Sequence, residues 1–328
     1  MTRTTFVLGA MVAGLAVSGL MLEGYSLRLL TLALLNVIAV LGLNLAYGYC
    51  GVIHLGQAAF AGLGAYVTAL VSTKLGLPIW ISIPLGLVAA TTFAVTVSVP
   101  LVRLKGHYLA LATVGINVIL ELIGKNWIEV TNGYNGVTGI PRLGEMLSAK
   151  APDRAFFWVA AGAAMIAVCA ALRIRQSHLG RAMIALRDDE IAAQTSGIDS
   201  RRTQVTAFAL SAFFAAVSGA LYAHYVGFIS PTDFAVAQSI LFLSMLVIGG
   251  EGTVAGAVIG ALLLTFLPEI LRDVQAAFVA AGGDEKGWLA RILKDGYLAI
   301  YGLITLLVLM LMPNGLAGVL ARWRWKPS

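Results

Sequence analysis

Residues 29–73 read LLTLALLNVIAVLGLNLAYGYCGVIHLGQAAFAGLGAYVTALVST and contain no Asp, Glu, Lys or Arg over 45 positions. A helix that crosses a bilayer needs about 20 predominantly apolar residues. The run is therefore long enough for two consecutive spans. Its first part is rich in leucine and its second part in glycine and alanine, with polar side chains scattered through both. Such a run indicates a chain that lies in lipid.

Charge-free runs of this kind recur along the chain, and the composition agrees with them. Of the 328 residues, 59% are hydrophobic and 12% are charged, whereas a soluble domain is about 45–50% apolar and about 25% charged. The fold class we predict is an all-α, polytopic helical membrane protein that forms one integral membrane domain over residues 1–328. The ten predicted segments are 5–22, 29–47, 55–73, 79–100, 108–124, 155–172, 203–226, 235–250, 254–272 and 295–312.

Three of these segments leave an alternative open. The first follows Arg3 and also fits a secretory signal peptide, although its length favours a membrane helix. The Gly-rich segment 55–73 is a candidate for a broken or partly spanning helix. Glu121 leaves the outer end of 108–124 undecided.

A polar stretch at residues 173–202, which we call the island, interrupts the apolar pattern. It reads RIRQSHLGRAMIALRDDEIAAQTSGIDSRR and holds six arginines. The positive-inside rule places the island in the cytosol, and ten crossings then place both termini there too. Small apolar residues from Arg181 onward predict one short amphipathic helix that ends near Gly197. The helix either docks on a partner or is a solvated connector, and its mixed charge favours docking.

Motifs for catalysis and cofactor binding are missing from the sequence. The Gly124-Lys125 pair is followed by Asn126 and has no glycine five residues upstream, so it is no Walker A loop. Cys50 and Cys169 have no CxxC or His-spaced neighbour, which predicts small packing residues and no metal site. We therefore expect no enzyme, no cofactor and no nucleic-acid partner.

Polar residues inside the apolar segments are candidates for lining a solute path, because each is costly in lipid. Interhelical hydrogen bonding is the alternative for any one of them. The candidates are Asn44, His54, Gln57, Asn117 and Tyr222.

A turn-rich loop at residues 131–141 contains Asn-Gly twice and a closing proline. Within it, Tyr134 and Asn135 are candidates for an outer gate or for contact with an external partner. An ordinary surface turn is the alternative.

Four stretches together resemble permeases of branched-chain amino acid ABC importers, most closely the M-type subunit, over about residues 36–318. The island pattern Gly180-Arg181-Ala182 through Glu190-x-Ala192-Ala193 to Gly197 is similar to a coupling loop, with Ile191 as an extra residue. The others are Gly42-Leu43-Asn44-Leu45 through Leu55-Gly56-Gln57 to Tyr66, Asn132-Gly133-x-Asn135-Gly136-x-x-Gly139-Ile140-Pro141, and Gly249-Gly250-x-Gly252-Thr253-x-x-Gly256 with Pro313-x-Gly315.

The resemblance implies a bacterial inner-membrane subunit that works with membrane lipid around it, a second homologous permease, two ATP-binding cassette ATPase subunits and a periplasmic or extracellular binding protein. The implied solutes are branched-chain or other hydrophobic amino acids, and urea or short amides are the alternative within the family. An ion-coupled secondary transporter is the rival class. The island residues implied to couple to the ATPases are Gly180, Arg181, Arg187, Glu190, Ala193 and Gly197.

Overall fold

The computed structural model describes residues 14–15, 18–19, 21–104, 106–280, 302–303 and 315–316. Most of the predicted segment 5–22 and nearly all of segment 295–312 lie outside these residues. The helices are α1 Gly24–Leu43, α2 Gln57–Thr73, α3 Ile79–Leu101, α4 His107–Asn126, α5 Ile128–Thr131, α6 Leu143–Leu147, α7 Pro152–Gln176, α8 His178–Asp188, α9 Glu190–Thr195, α10 Ser200–Val226, α11 Val236–Gly249 and α12 Val254–Ala280. A π-helical turn, Asn44–Tyr49, continues α1, and 3-10 turns cover Gly133–Asn135 and Pro231–Phe234. Two short strands are β1 Val137–Thr138 and β2 Phe228–Ile229.

The predicted all-α, polytopic class is confirmed. Among the described residues, seven helical stretches are long and apolar enough to cross a membrane. They are Gly24–Tyr49, Ile79–Leu101, His107–Asn126, Pro152–Gln176, Ser200–Val226, Pro231–Gly249 and Val254–Val274. The undecided segment 108–124 is thus a helix of full length, and the chain is a multi-pass membrane protein.

Helix α1 lies at the centre of the bundle, where it packs on α7, α10 and α12. Most of its leucine, valine and alanine side chains from Ala33 to Ala46 are buried. Helix α10 packs on α1, α2 and α3. Small residues permit the closest approach: a Cβ at Gly219 of α10 would collide with the Ala61 carbonyl of α2. Because lipid offers little hydrophobic drive between helices, such close packing carries association.

The helix ends fall on two faces of the bundle. Arg154 pairs with Glu23 at 2.9 Å, so α1 and α7 begin on the same face. On that face the antiparallel pair β1–β2 joins the loop after α4 to the end of α10, with Val137 opposite Ile229. We call it the ladder face. The end of α7 and the start of α10 carry the island, which marks the opposite, island face.

Residues 50–56 return from the island face into the bundle without helical structure. Helix α2 starts at Gln57, whose amide donates to the Ala39 carbonyl at 2.7 Å. Ala39 lies ten residues before Tyr49, a rise of about 15 Å along α1. Helix α2 therefore begins at depth and ends on the ladder face, so the Gly-rich segment 55–73 spans only part of the bundle.

The contact between Gly219 and Ala61 predicts a selective loss of stability. Gly219→Ala forces α10 away from α2, and overpacking of this kind costs about 1–3 kcal/mol. We expect the melting temperature of the detergent-solubilised protein to fall by about 3 °C or more. Gly162→Ala is the matched control, because a Cβ there meets nothing within 4 Å. Equal melting temperatures for Gly219→Ala and the wild type would contradict the packing.

Candidate functional site

The island folds into two helices, α8 and α9, where the sequence predicts one. The break is at Asp189, whose extended backbone ends α8 while its carboxylate accepts hydrogen bonds from the Ile191 and Ala192 amides at 2.9 and 3.0 Å. Ser177 caps α8 in the same manner. Gly197 follows α9 with φ at +87°, a conformation that favours glycine. The expected stop at Gly197 is therefore present, and the expected single helix is wrong because a side-chain cap interrupts it.

The island helices turn one side to the bundle and the other to solvent. Gly180 and Ala193 face inward, and a Cβ at Gly180 would collide with the last turn of α7. Arg181 lies on the solvent side, where it donates to the Gln176 carbonyl at 2.8 Å. Glu190 is half-buried and accepts a hydrogen bond from the Ser200 hydroxyl at 2.8 Å.

Ile191 is a surface residue that the sequence reasoning missed. Its side chain is 75% exposed on α9. In the sequence it counts only as an extra residue between Glu190 and the alanine pair. The signal that could have indicated its exposure is its place, a large aliphatic residue among the polar residues that start α9.

Arg187 joins the island to the membrane helices. Its guanidinium pairs with the Glu251 carboxylate at 2.5 Å and donates to the Gly48 carbonyl. Gly48 lies in the π-helical turn that ends α1, and Glu251 lies in the loop between α11 and α12. One side chain of α8 thus contacts the ends of three membrane helices.

Asn44 completes this contact from the other side. Its Oδ1 accepts from the Gly252 amide at 2.9 Å, and its Nδ2 donates to the Thr253 carbonyl at 3.2 Å. A Cβ at Gly48 would lie 2.7 Å from the Gly252 nitrogen, so glycine permits the approach. Asn44 therefore lies at the island face. In the sequence it is one of the candidates for lining a solute path. We call the group the Arg187 junction, which consists of Asn44, Gly48, Arg187, Glu251 and Gly252.

His54 and Gln57 form a buried hydrogen-bonded chain at the start of α2. The His54 Nε2 lies 3.0 Å from the Ser211 hydroxyl, which donates to the Gln57 Oε1 at 2.9 Å. Both predicted path residues are at most 1% exposed. Their contacts hold the non-helical residues 50–56 against α1 and α10. Such contacts favour interhelical hydrogen bonding, the alternative to a solute path for these two residues.

Asn117 holds the same segment from α4. Its amide donates to the Ser239 hydroxyl at 2.8 Å, and that hydroxyl accepts from the Ala58 amide at 2.9 Å. The Thr113 hydroxyl accepts from the Leu55 amide at 2.9 Å. In lipid every backbone polar group needs a partner within the protein, and these side chains supply partners for the Leu55 amide before α2 and for the Ala58 amide in its first turn.

Two cavities lie near the ladder-face ends of the helices. The larger, about 650 Å³, is bounded by α1, α10, α11 and α12. Tyr222, which the sequence suggests for a solute path, is one of its lining residues. The smaller, about 180 Å³, lies between α2 and α4 and includes Asn117 in its wall. Phe234 lines both, and its ring stands edge-on to Tyr66 and Tyr222 at 6.2 and 6.1 Å.

Tyr134 and Asn135 lie in the 3-10 turn on the ladder face. Tyr134 is 70% exposed, with the Lys125 ammonium 5.5 Å from its ring centre. Asn135 is also exposed. Both residues are therefore accessible from the side opposite the island.

The cysteines are packing residues in the described part of the chain. Cys50 is buried directly after the π-helical turn, and burial raises the pKa of its thiol to about 12. Cys169 is half-buried in α7. Over the described ranges, no group of three or more His, Cys, Asp or Glu side chains could hold a metal ion.

Comparison with known proteins places this architecture in a family. The family described as "Branched-chain amino acid transport system / permease component" matches residues 25–313. The chain belongs to that family. The match runs from the start of α1, through the island, to well beyond α12.

Individual relatives agree with the family. The chain is 34% identical to the "High-affinity branched-chain amino acid transport system permease protein LivM" of Escherichia coli, an alignment covering 74% of this chain and 63% of LivM. It is 26% identical to LivH of the same organism, over 88% of this chain and 92% of LivH. It is 25% identical to the "Autoinducer 2 import system permease protein LsrC" of Yersinia enterocolitica, over 68% of this chain and 58% of LsrC. The chain thus spans less than two thirds of the LivM length, and no solved structure matches it.

Proposed function

We propose that this chain is the transmembrane permease subunit of an ATP-driven importer for branched-chain or other hydrophobic amino acids. Family membership and the 34% identity to LivM support the class. The observation that carries the proposal is the Arg187 junction, because it connects an exposed amphipathic element to the helices around a cavity. ATP hydrolysis belongs to separate subunits that dock on the island.

The solute assignment rests on the relatives. LivM and LivH are named for branched-chain amino acids, whereas LsrC is named for autoinducer 2. Proteins similar to this chain are therefore named for chemically different solutes, and urea or short amides remain the alternative. Most residues lining the larger cavity are aliphatic or aromatic, which favours a solute with an apolar side chain.

The exposed surfaces support the proposed set of partners. The island exposes Arg181 and Ile191 for the ATPase subunits. Helices α3 and α4 are the least buried of the seven candidate membrane helices, which suits contact with lipid and with a second, homologous permease. Tyr134 and Asn135 on the ladder face suit a periplasmic binding protein.

The topology of the proposal places the island in the cytosol and the ladder face outside. Both termini are then cytosolic, in a bacterial inner membrane. The arginines of the island favour this orientation through the positive-inside rule.

The mechanism runs from the island to the larger cavity. ATP-driven closure of the ATPases displaces α8 and α9 together, because Asp189 ends one helix and caps the next. Arg187 passes the displacement to Gly48 at the end of α1 and to Glu251 between α11 and α12. These three helices, with α10, bound the larger cavity, so movement at the island changes its shape.

An ion-coupled secondary transporter has less support. Such a transporter needs an acidic residue for the coupling ion near the membrane midplane. Glu121, the candidate in the sequence, pairs with Lys125 at 2.5 Å near the end of α4.

Ile191 provides the test of ATPase docking. Ile191→Glu places a carboxylate on the proposed contact surface, where an unpaired charge is costly to bury. We expect co-purification of the ATPase subunits to fall at least tenfold, which corresponds to about 1.4 kcal/mol. Ile128→Glu is the matched control, because Ile128 is 69% exposed but lies after α4 towards the ladder face. Full ATPase recovery with Ile191→Glu would contradict docking at α9.

Arg187 provides the test of coupling. Arg187→Ala leaves the island helices and their caps in place but removes the bonds to Gly48 and Glu251. In a strain lacking the native gene, we expect labelled leucine uptake to fall at least tenfold while ATPase co-purification stays within about twofold (tenfold corresponds to ~1.4 kcal/mol).

Arg103→Ala is the control for the loss of an exposed arginine before α4, and it retains uptake. Glu251→Gln reproduces part of the Arg187→Ala loss, because it removes the ionic half of the contact. Normal uptake by Arg187→Ala would refute the coupling role. Uptake of labelled urea or acetamide without leucine uptake by the wild type would instead select the alternative solute.

A further inference from the structure

The larger cavity contains one feature that an apolar passage does not need, a carboxylate at its wall. Asp233 lines the cavity from the 3-10 turn that precedes α11. Asp233 is the third residue of the candidate membrane span Pro231–Gly249, and an ionisable residue that lines a cavity between membrane helices is a candidate for a functional site.

Part of the Asp233 side chain has a structural role. Its Oδ2 accepts from the Ser230 amide at 2.8 Å and so forms half of a capping box. An asparagine oxygen could accept the same bond. The cap therefore explains an acceptor at this position and leaves the negative charge unexplained.

Neutral donors stand around the same cavity. Tyr222 and Gln238 both line it. Within the described residues, neither the Tyr222 hydroxyl nor the Gln238 side-chain amide makes a hydrogen bond, so both can donate to a solute. The described lining contains no lysine or arginine to neutralise Asp233.

Most of the remaining wall is apolar, and its polar members Asn36, Ser218 and Thr265 are hydrogen-bonded within the protein. Leu35, Leu241, Phe242, Met245 and Leu264 contribute to it. The volume of about 650 Å³ falls in the range of about 300–1,000 Å³ that is typical of small-molecule sites. A carboxylate, two neutral donors and an aliphatic wall together match a zwitterion with an apolar side chain.

We propose that this cavity is a transient binding site for the transported solute, an α-amino acid with an apolar side chain, whose ammonium group pairs with Asp233. Gln238 and Tyr222 donate to the solute carboxylate, and the aliphatic wall receives its side chain. The inference rests on the proposed importer function and adds a selectivity site within the permease. Because the cavity is bounded by the helices that meet the Arg187 junction, its affinity changes when the junction moves.

The test uses the complete importer in proteoliposomes, with its binding protein and labelled leucine. Asp233→Asn keeps an acceptor for the Ser230 amide and removes the charge, and we expect ATP-driven leucine uptake to fall at least tenfold. Asp233→Glu keeps the charge and retains a larger part of the uptake. Ser230→Ala removes the hydroxyl half of the capping box and stays within about twofold of the wild type.

A second variant addresses the cavity independently of Asp233. Ala237 lines it and is exposed, so Ala237→Trp fills space without displacing the core. We expect leucine uptake to fall while ATP hydrolysis stimulated by the binding protein persists. This pattern assigns the loss to the solute path and not to misfolding.

Three results would count against the site. Wild-type uptake by both Asp233→Asn and Ala237→Trp overturns it and leaves the importer function intact. An equal loss in Ser230→Ala and Asp233→Asn reduces Asp233 to a cap and also overturns it. No leucine uptake by the wild-type importer overturns the proposed function together with the site.

Discussion

The guanidinium of Arg187 connects the island to the membrane helices that bound the larger cavity. On one side it belongs to α8, whose caps and buried Met183 and Leu186 fix the island against the bundle. On the other it contacts Gly48 and Glu251, at the ends of α1, α11 and α12. Both side chains of the ion pair are about one-third exposed, at 34% and 32%, and pairs of this exposure contribute little to stability. In the proposed mechanism the contact therefore matters for position, because it holds the ends of three helices against the island.

The close approach needed for this contact depends on glycine and on a helical defect. The π-helical turn at Asn44–Tyr49 directs the Gly48 carbonyl towards Arg187 and the Asn44 amide towards the loop before α12. Gly252 has φ at +74°, and a Cβ there would meet the guanidinium at 2.8 Å. π-Helical turns are frequent at functional sites, where they offer backbone groups that an α-helix would use internally. Local irregularity at the end of α1 thus creates the surface to which the island binds.

The sequence predicts the membrane helices well because long charge-free runs allow little else in lipid. It predicts less where individual hydrogen bonds decide the structure. The break at Asp189 depends on one side-chain cap, and the late start of α2 depends on contacts of Gln57, Ser211 and Ser239 that are distant along the chain. The sequence marks Asn44, His54 and Gln57 as costly polar residues, but apart from Ala39 the partners cited for them lie 154–209 positions away. Ile191 and Asp233 were missed because exposure and cavity walls are tertiary properties.

The central claim is that movement of the island reaches the cavity helices through Arg187. Electron–electron distance measurements between spin labels at Lys150 near α7 and Ile270 on α12, both exposed, test it in the assembled importer. In the wild type, addition of ATP shifts the distance distribution, because α12 follows the junction. In Arg187→Ala the ATP-dependent shift is lost although the ATPases remain bound. An identical shift in both proteins would contradict the claim.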